Sequence, residues 1–177
     1  MIGAGALAAP LIMAHSTVRR LDRVMVYNRT KSRADALIHQ LKGHVDVEYV
    51  SDLDAAIPSA DIISCATLSS TALVKGHLVA PGTHVDLVGA YSPTMRESDT
   101  QLIERSRVFV DTRIGATHEG GDLVLAEKEG DWRMDMIVAE LSELCSGTIG
   151  GRVREEERTV FKSVGASLED LVAASLA

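Results

Sequence analysis

The sequence predicts an α/β fold built on a doubly wound parallel sheet, and three observations predict it. Short aliphatic runs alternate with helical stretches along the whole chain, the pattern of strands joined by crossover helices. Hydrophobic residues make up 46% of the 177 residues but aromatics only 3%, so the core must be aliphatic, as in a sheet covered by helices on both faces. The chain also opens on Gly3-Ala4-Gly5-Ala6-Leu7-Ala8, a G-x-G-x-x-A pattern that joins the first strand of a Rossmann unit to its first helix.

In that pattern the first glycine makes the tight turn and the second lets the backbone approach a pyrophosphate. The third small residue lets helix and strand pack closely, and the helix N-terminus faces the phosphate charge. A full buried strand normally precedes the motif, whereas only Met1 and Ile2 stand before it. Either the motif is a coincidence or the sheet is truncated at its first strand and the chain is the downstream part of a larger protein. The rest of the sequence favours the second reading.

The elements follow in order. Ala6 to Val18 reads as a helix with Leu7, Leu11, Ala14 and Val18 on its apolar stripe, and Pro10 falls in its first turns, where a missing N–H costs little. Arg23 to Tyr27 is a strand ending at Asn28, and Thr30 is placed to cap a helix through Leu41. Val45 to Val50 alternates as a strand, Asp52 to Ser59 is a short helix stopped near Pro58, and Ile62 to Ala66 is a buried strand leading into the polar loop Thr67 to Thr71. The turn at Pro81-Gly82 precedes a strand from Thr83 to Val88 that ends at Gly89. Ser98 to Ser106 is helical and Arg107 to Asp111 a short strand. Gly120-Gly121 interrupts a further helical stretch, Val138 to Cys145 is a short helix, and a last helix is expected over Glu155 to Ala177. With no repeat and no linker, residues 1–177 are expected to form one dinucleotide-binding domain.

Composition narrows the partners. The net charge is −7 and no Lys/Arg block occurs, which excludes an electrostatic surface for nucleic acid or an anionic membrane. No run approaches the roughly 18 apolar residues of a membrane span. The apolar start lacks the basic region of a signal peptide, its first cation being Arg19. Cys65 and Cys145 have no metal-type spacing and read as reduced, buried thiols of a cytoplasmic protein. The six histidines form no H-x-x-x-H pair or His/Cys cluster, so no metal site is expected.

The candidate site lies where loops leave the carboxyl ends of the strands. About 20 residues after the glycine turn, where a carboxylate would bind the ribose of NAD, the sequence is Tyr27-Asn28-Arg29-Thr30-Lys31. It supplies two cations and a hydroxyl, chemistry suited to the extra phosphate of NADP; otherwise Arg29 and Lys31 are solvated charges at a helix start. Thr67-Leu68-Ser69 and Gly89-Ala90-Tyr91 are further candidates, the alternative for Thr67 and Ser69 being turn residues that bond their own backbone. Glu119 and Asp122 read as a cap or turn, and Lys162 as a surface lysine.

Gly3 to Ala8, Tyr27 to Thr30, Cys65-Ala66-Thr67, Ala80 to His84 with Val88-Gly89-Ala90, Arg96-Glu97 and Glu119 to Leu123 fit one pattern, completed by Val160 to Gly165 with Leu168-Glu169-Asp170. In this order they resemble the ornithine cyclodeaminase/mu-crystallin family over essentially the whole chain. The resemblance implies an NAD(P)-dependent protein acting on cyclic imines or amino acids. It also implies a further N-terminal domain, lacking here, that builds a homodimer and grips the substrate carboxylate. By the same resemblance Gly3, Gly5, Ala6 and Leu7 form the pyrophosphate turn, and Asn28, Arg29 and Thr30 match a branch that tends to use NADPH, so NADP is favoured over NAD. Thr67 and Val88 match loops on the adenosine and nicotinamide sides. Ser163 and Val164 match positions beside the nicotinamide and the substrate, with Val164 on the substrate side.

The cyclodeaminase branch carries an aspartate after its paired glycines; here Tyr91 occupies that place. Cyclodeamination needs a general acid/base to release ammonia, and a phenol is a poor substitute for a carboxylate at neutral pH. The expected function is therefore NADPH-dependent reduction of a cyclic ketimine acid, such as Δ1-pyrroline-2-carboxylate or its piperideine homologue, with no catalytic side chain assigned. Ornithine cyclodeaminase or an amino-acid dehydrogenase is the second enzyme reading. A mu-crystallin-like NADPH/ligand-binding protein, or a fragment inactive in isolation, is the alternative.

Overall fold

The computed structural model describes residues 1–176. In chain order it comprises α1 (Ala8–Val18), β1 (Val24–Val26), α2 (Lys31–Leu41), β2 (Val47–Tyr49), α3 (Leu53–Ala56) running into a 3-10 turn (Ile57–Ser59), β3 (Ile62–Cys65) and β4 (His84–Leu87). Then come α4 (Thr100–Glu104), β5 (Ser106–Val110), α5 (Arg113–Glu119), α6 (Gly121–Glu129), a second 3-10 turn (Met134–Met136), β6 (Ala139–Glu140), α7 (Leu141–Cys145), β7 (Arg158–Lys162) and α8 (Ser167–Leu176).

Every pairing is parallel: β1 with β2 in one ribbon, and β3-β4-β7-β5-β6 in a five-stranded sheet. Ile2 joins them, bridging Tyr27 on one side and Cys65 on the other. Its N–H donates to Ser64 O at 2.8 Å and its carbonyl accepts from Ala66 N at 3.0 Å, while Tyr27 N donates to Met1 O at 3.0 Å. Met1-Ile2 thus stands as a short strand between β1 and β3, and the α/β reading holds: a doubly wound parallel sheet in the order β2-β1-Ile2-β3-β4-β7-β5-β6.

The core is aliphatic, as composition requires. One cluster packs Ile63, Val85, Leu87, Val108, Val110 and Val160 of the sheet against Ile57, Leu102, Ile103 and Leu123, and Trp132 is the single aromatic among its buried members. A second cluster joins Ala8, Ala9 and Ile12 of α1 to Val24 and Val26 and to Ala34, Leu37 and Leu41 of α2. Each valine, leucine or isoleucine among them contributes about 1.5–3 kcal/mol when fully buried. Ala8, the third small residue of the glycine pattern, has no exposed surface, which is the close helix–strand packing the motif requires.

Four expectations are corrected. The buried stripe of α1 is Ala8, Ala9 and Ile12, while Leu7 and Val18 are 52% and 66% exposed; a helix apolar almost all round does not reveal its inner face by periodicity. Thr30 precedes α2 but makes no side-chain cap hydrogen bond. Residues 155–177 are not one helix: Arg158–Lys162 is a strand in the middle of the sheet, paired with both β4 and β5, and α8 begins only at Ser167. The β-branched and aromatic centre Thr159-Val160-Phe161 suits that place, and Gly165, at φ +91°, breaks the chain before α8. Ala177 of the expected helix lies outside the described residues. Finally, Cys145 is exposed on α7 while Cys65 is buried.

Candidate functional site

Because all strands run parallel, the loops that follow them emerge at one edge. The turn after Ile2, Asn28 after β1, Thr67 after β3, Val88-Gly89 after β4 and Ser163-Val164 after β7 gather there. Gly3 adopts φ +98°, and a Cβ on it would lie 2.6 Å from Ala66 O and 3.1 Å from Thr67 Cγ2. The turn therefore sits directly on the Thr67 loop, and only glycine allows both the conformation and the approach.

Beyond it, Gly3 N donates to Tyr27 O at 2.9 Å and Ala4 N to Asn28 Oδ1 at 3.1 Å. Among the described residues no acceptor meets the N–H groups of Gly5, Ala6 and Leu7. These three donors open the 11-residue α1, where unpaired N–H groups and the helix dipole favour an anion. A Cβ on Gly5 would meet nothing within 4 Å, so the backbone is open to a ligand at that point.

The segment Tyr27 to Lys31 divides cleanly. Asn28 holds the local geometry, since its Oδ1 accepts from Ala4 N and its Nδ2 donates to Thr30 O at 2.8 Å. Lys31 is committed to Asp35 at 2.7 Å and lies 5.2 Å from the Tyr49 ring centroid. Arg29 and the Thr30 hydroxyl are exposed and have no hydrogen bond or ion pair among the described residues. The two cations that the sequence offered together are thus one engaged and one free.

Three buried carboxylates brace the edge, and their bracing role emerges only in the fold. Glu97 Oε1 accepts from Thr67 N at 2.6 Å and Thr67 Oγ1 at 2.8 Å, and its Oε2 accepts from Gly89 N at 2.7 Å. Asp111 Oδ2 accepts from Val164 N and Gly165 N, both at 2.7 Å, and its Oδ1 from Thr112 N at 2.7 Å. Asp122 Oδ1 accepts from Glu97 N at 2.7 Å and Ser98 N at 2.8 Å. Burial pushes the Glu97 carboxyl up from its usual range, partly offset by its hydrogen bonds from Thr67. Thr67 is therefore no isolated turn, although its Oγ1 also accepts from Ser69 N at 3.3 Å.

Lys162 is fully buried, against the expectation of a surface lysine. Its ammonium donates to Leu87 O and Ser163 O, each at 2.9 Å, and lies 3.9 Å from Asp122 Oδ2, which is otherwise without a partner. Burial pulls its basicity down while the Asp122 carboxylate opposes that shift. Tyr91 is 53% exposed, and its backbone N–H closes a tight turn onto Gly89 O at 3.2 Å. The pairing Arg96-Glu97 and the acid after Gly120-Gly121 were visible in the sequence, but the contact of Glu97 with Thr67 spans 30 residues and that of Asp122 with Glu97 N spans 25, and both are fixed only by the fold.

A cavity of about 1030 Å³ lies elsewhere, lined among others by Ile12, His15, Val24, Ile62, His84 and Thr159 near the amino ends of the strands. None of the predicted site residues lines it. Among the described residues no group of three His, Cys, Asp or Glu side chains is placed to hold a metal, and no helix is long and apolar enough to cross a membrane.

Known proteins resemble this chain over nearly its whole length. Protein SAR DEFICIENT 4 of Arabidopsis thaliana is 43% identical over 182 residues, covering 99% of this chain and 56% of that protein. Delta(1)-pyrroline-2-carboxylate reductase of Colwellia psychrerythraea is 38% identical over 177 residues, covering 98% and 56%. The solved Delta(1)-pyrroline-2-carboxylate reductase of Thermococcus litoralis, in complex with NADH and L-proline, superposes with a TM-score of 0.92 at 33% identity, covering 99% of this chain and 55% of that one. The chain therefore spans about half the length of the relatives it matches. The family model for the ornithine cyclodeaminase/mu-crystallin family matches residues 1–177, and on that match, with the sheet order and glycine turn described above, the chain belongs to this family.

Proposed function

We propose that this chain supplies the dinucleotide-binding part of an NADPH-dependent reductase acting on a cyclic ketimine acid of the Δ1-pyrroline-2-carboxylate class. The observation that carries this reading is the commitment of the carboxylates at the strand edge. Glu97, Asp111 and Asp122 each hold backbone N–H groups, and Tyr91 stands where the cyclodeaminases place their acid. Release of ammonia from an amino acid needs a free, tunable proton carrier; reduction of a preformed imine needs mainly a held geometry, because the substrate nitrogen can already carry its proton. The likeness to a reductase solved with NADH and L-proline favours the same chemistry.

In this reading the N–H groups of Gly5, Ala6 and Leu7 take the pyrophosphate. The Thr67 and Val88 loops flank the dinucleotide, and Ser163 and Val164 border the nicotinamide and the substrate. The bound cofactor supplies a hydride to the imine carbon. Asn28 fixes the segment that follows β1, leaving Arg29 and Thr30 to meet the 2′-phosphate; this preference rests on those two side chains and on the absence of an acid in Tyr27 to Lys31.

Titration of NADPH and NADH into the protein, followed by nicotinamide fluorescence, tests the site. NADPH is expected to bind more tightly, and Arg29→Gln to weaken NADPH about tenfold or more, the worth of a charge-assisted contact, while leaving NADH unchanged. Equal loss of both cofactors would remove Arg29 from phosphate recognition. In turnover with saturating NADPH the cyclic imine is expected to be consumed; faster conversion of ornithine than of the imine would replace this reading with the cyclodeaminase one.

A further inference from the structure

Two loops at the carboxyl edge of the sheet, bordering the crevice proposed for the dinucleotide, are tied to each other by one side chain. Thr67 follows β3 and Gly89 follows β4, and nothing in strand pairing fixes the loops beyond the last ladder bond, Val88 N to Cys65 O at 2.9 Å. Past that point the Glu97 carboxylate takes over. One oxygen receives both donors of Thr67 and the other receives Gly89 N. A Cβ on Gly89 would collide with the Thr67 backbone and lie 2.6 Å from Glu97 Oε1, so the contact of loops and carboxylate exists only because that residue is glycine. Glu97 is itself seated from behind, with Asp122 Oδ1 accepting its backbone N–H. In front, Thr67 Cγ2 lies against the Gly3 turn, 3.1 Å from where a Cβ would stand.

This constellation is costly to build by burial alone. Glu97 has no exposed surface, and a buried carboxylate persists only when its oxygens are fully supplied with donors. Two of its three donors are backbone N–H groups, which can only donate. An amide of the same shape would offer one acceptor and one N–H₂ donor, so one loop would face a donor against a donor. Neither Thr67 nor Gly89 carries a charge, and Glu97 has no opening toward the crevice, so its influence on a ligand passes through the loops.

We propose that Glu97 is a positioning residue for dinucleotide binding, its carboxylate holding the Thr67 and Gly89 loops against the glycine turn so that the crevice is formed before the cofactor arrives. The proposal rests on the cofactor reading given above. It concerns binding geometry, and no proton passes through Glu97.

The test is Glu97→Gln in the full chain, with Thr67→Val, which removes the hydroxyl donor to Glu97 and the 3.3 Å acceptor of Ser69 N, as a milder companion. Dissociation constants for NADPH are read by nicotinamide fluorescence, beside thermal melting and the split between cofactor KM and kcat. The expectation is a dissociation constant and cofactor KM raised about tenfold or more for Glu97→Gln and several-fold for Thr67→Val, the sizes of a charge-assisted and a neutral hydrogen bond, with the full bound amplitude kept. A purely structural role would instead lower the melting temperature and the bound fraction and leave the dissociation constant of the remaining folded protein unchanged; that result overturns the proposal. Should Glu97→Gln fail to fold, Thr67→Val decides alone, and an unchanged dissociation constant there overturns it as well. If both variants bind as the parent does, positioning fails while the cofactor reading stands. If the parent protein binds neither NADPH nor NADH, the cofactor reading fails and takes the positioning role with it.

Discussion

Asp86, in the middle of β4, receives two side chains that sequence order keeps far apart. Ser64 Oγ donates to its Oδ1 at 2.7 Å and His15 Nε2 approaches its Oδ2 at 2.7 Å. The bond to Asp86 raises the basicity of His15, with desolvation opposing it. A histidine whose folded value is raised contributes stability that is fully present below its unfolded value of about 6.5. That contribution is lost as pH rises through the higher folded value. Comparing denaturant unfolding of the parent and His15→Asn across this range should show the parent's advantage shrinking toward alkaline pH; a difference constant with pH would dissociate His15 from Asp86. Such a pairing was not legible beforehand, because 71 residues separate the partners and an isolated histidine on an apolar helix carries no signal of what it meets. Legibility was better where a residue's role is local. The glycines of the opening turn, and the lack of an acid beside Arg29, follow from positions a few residues apart, whereas the bracing by Glu97 and Asp111 depends on loops brought together by the sheet.

At the scale of elements, β3 and β4 were readable because Ile62 to Cys65 and His84 to Leu87 are short, mostly buried runs bounded by turn residues. β7 was not, since Arg158 and Lys162 close it at both ends and the charged run before it resembles a helix start. Pairing with β4 and β5 makes this strand central, and its lysine adds a further tie. Lys162 spans from the end of β7 to Leu87 O on β4 and faces Asp122 on α6, a tie between two strands and a helix that sequence spacing does not reveal. Lys162→Met keeps the volume but leaves Ser163 O without its donor, Leu87 O with only the Ser163 N–H at 3.2 Å, and the Asp122 carboxylate without its countercharge. Removing one partner of a buried pair costs about 3–5 kcal/mol, and a loss of that order is expected in the denaturant midpoint with the slope unchanged. Adding Asp122→Asn should recover part of it, since the amide oxygen can still accept from Glu97 N and Ser98 N while the uncompensated charge is gone. A Lys162→Met protein as stable as the parent would show that the ammonium contributes nothing net.

The whole molecule is two stacks with a seam between them. β1, β2, α1 and α2 share one hydrophobic cluster, and the five-stranded sheet with its helices shares another. Across the seam run the backbone bonds of Met1 and Ile2 to Tyr27, Ser64 and Ala66 and the His15–Asp86 contact. The 1030 Å³ cavity is lined from both stacks, by Ile12 and Val24 on one side and Ile62 and Phe161 on the other. The alternation of strands and helices announced the architecture, but not where its halves would meet. Local opening follows the weakest packing rather than the whole fold, so the seam should yield first. Ile2→Ala removes a side chain that is 3% exposed and is expected to destabilise by about 2–5 kcal/mol. Its effect on amide hydrogen exchange should be unequal: Val24–Val26 and Val47–Tyr49 should lose protection well before Val85, Val108 and Val160, which keep partners on both sides of the larger sheet. Uniform loss across both sets would mean that the stacks unfold as one cooperative unit and that Ile2 is core like any other. Unequal loss would place the glycine turn, and with it the proposed pyrophosphate site, on the half that opens more readily, and dinucleotide added in excess should then restore protection to β1 and β2 by holding the turn to the loops beyond β3 and β4.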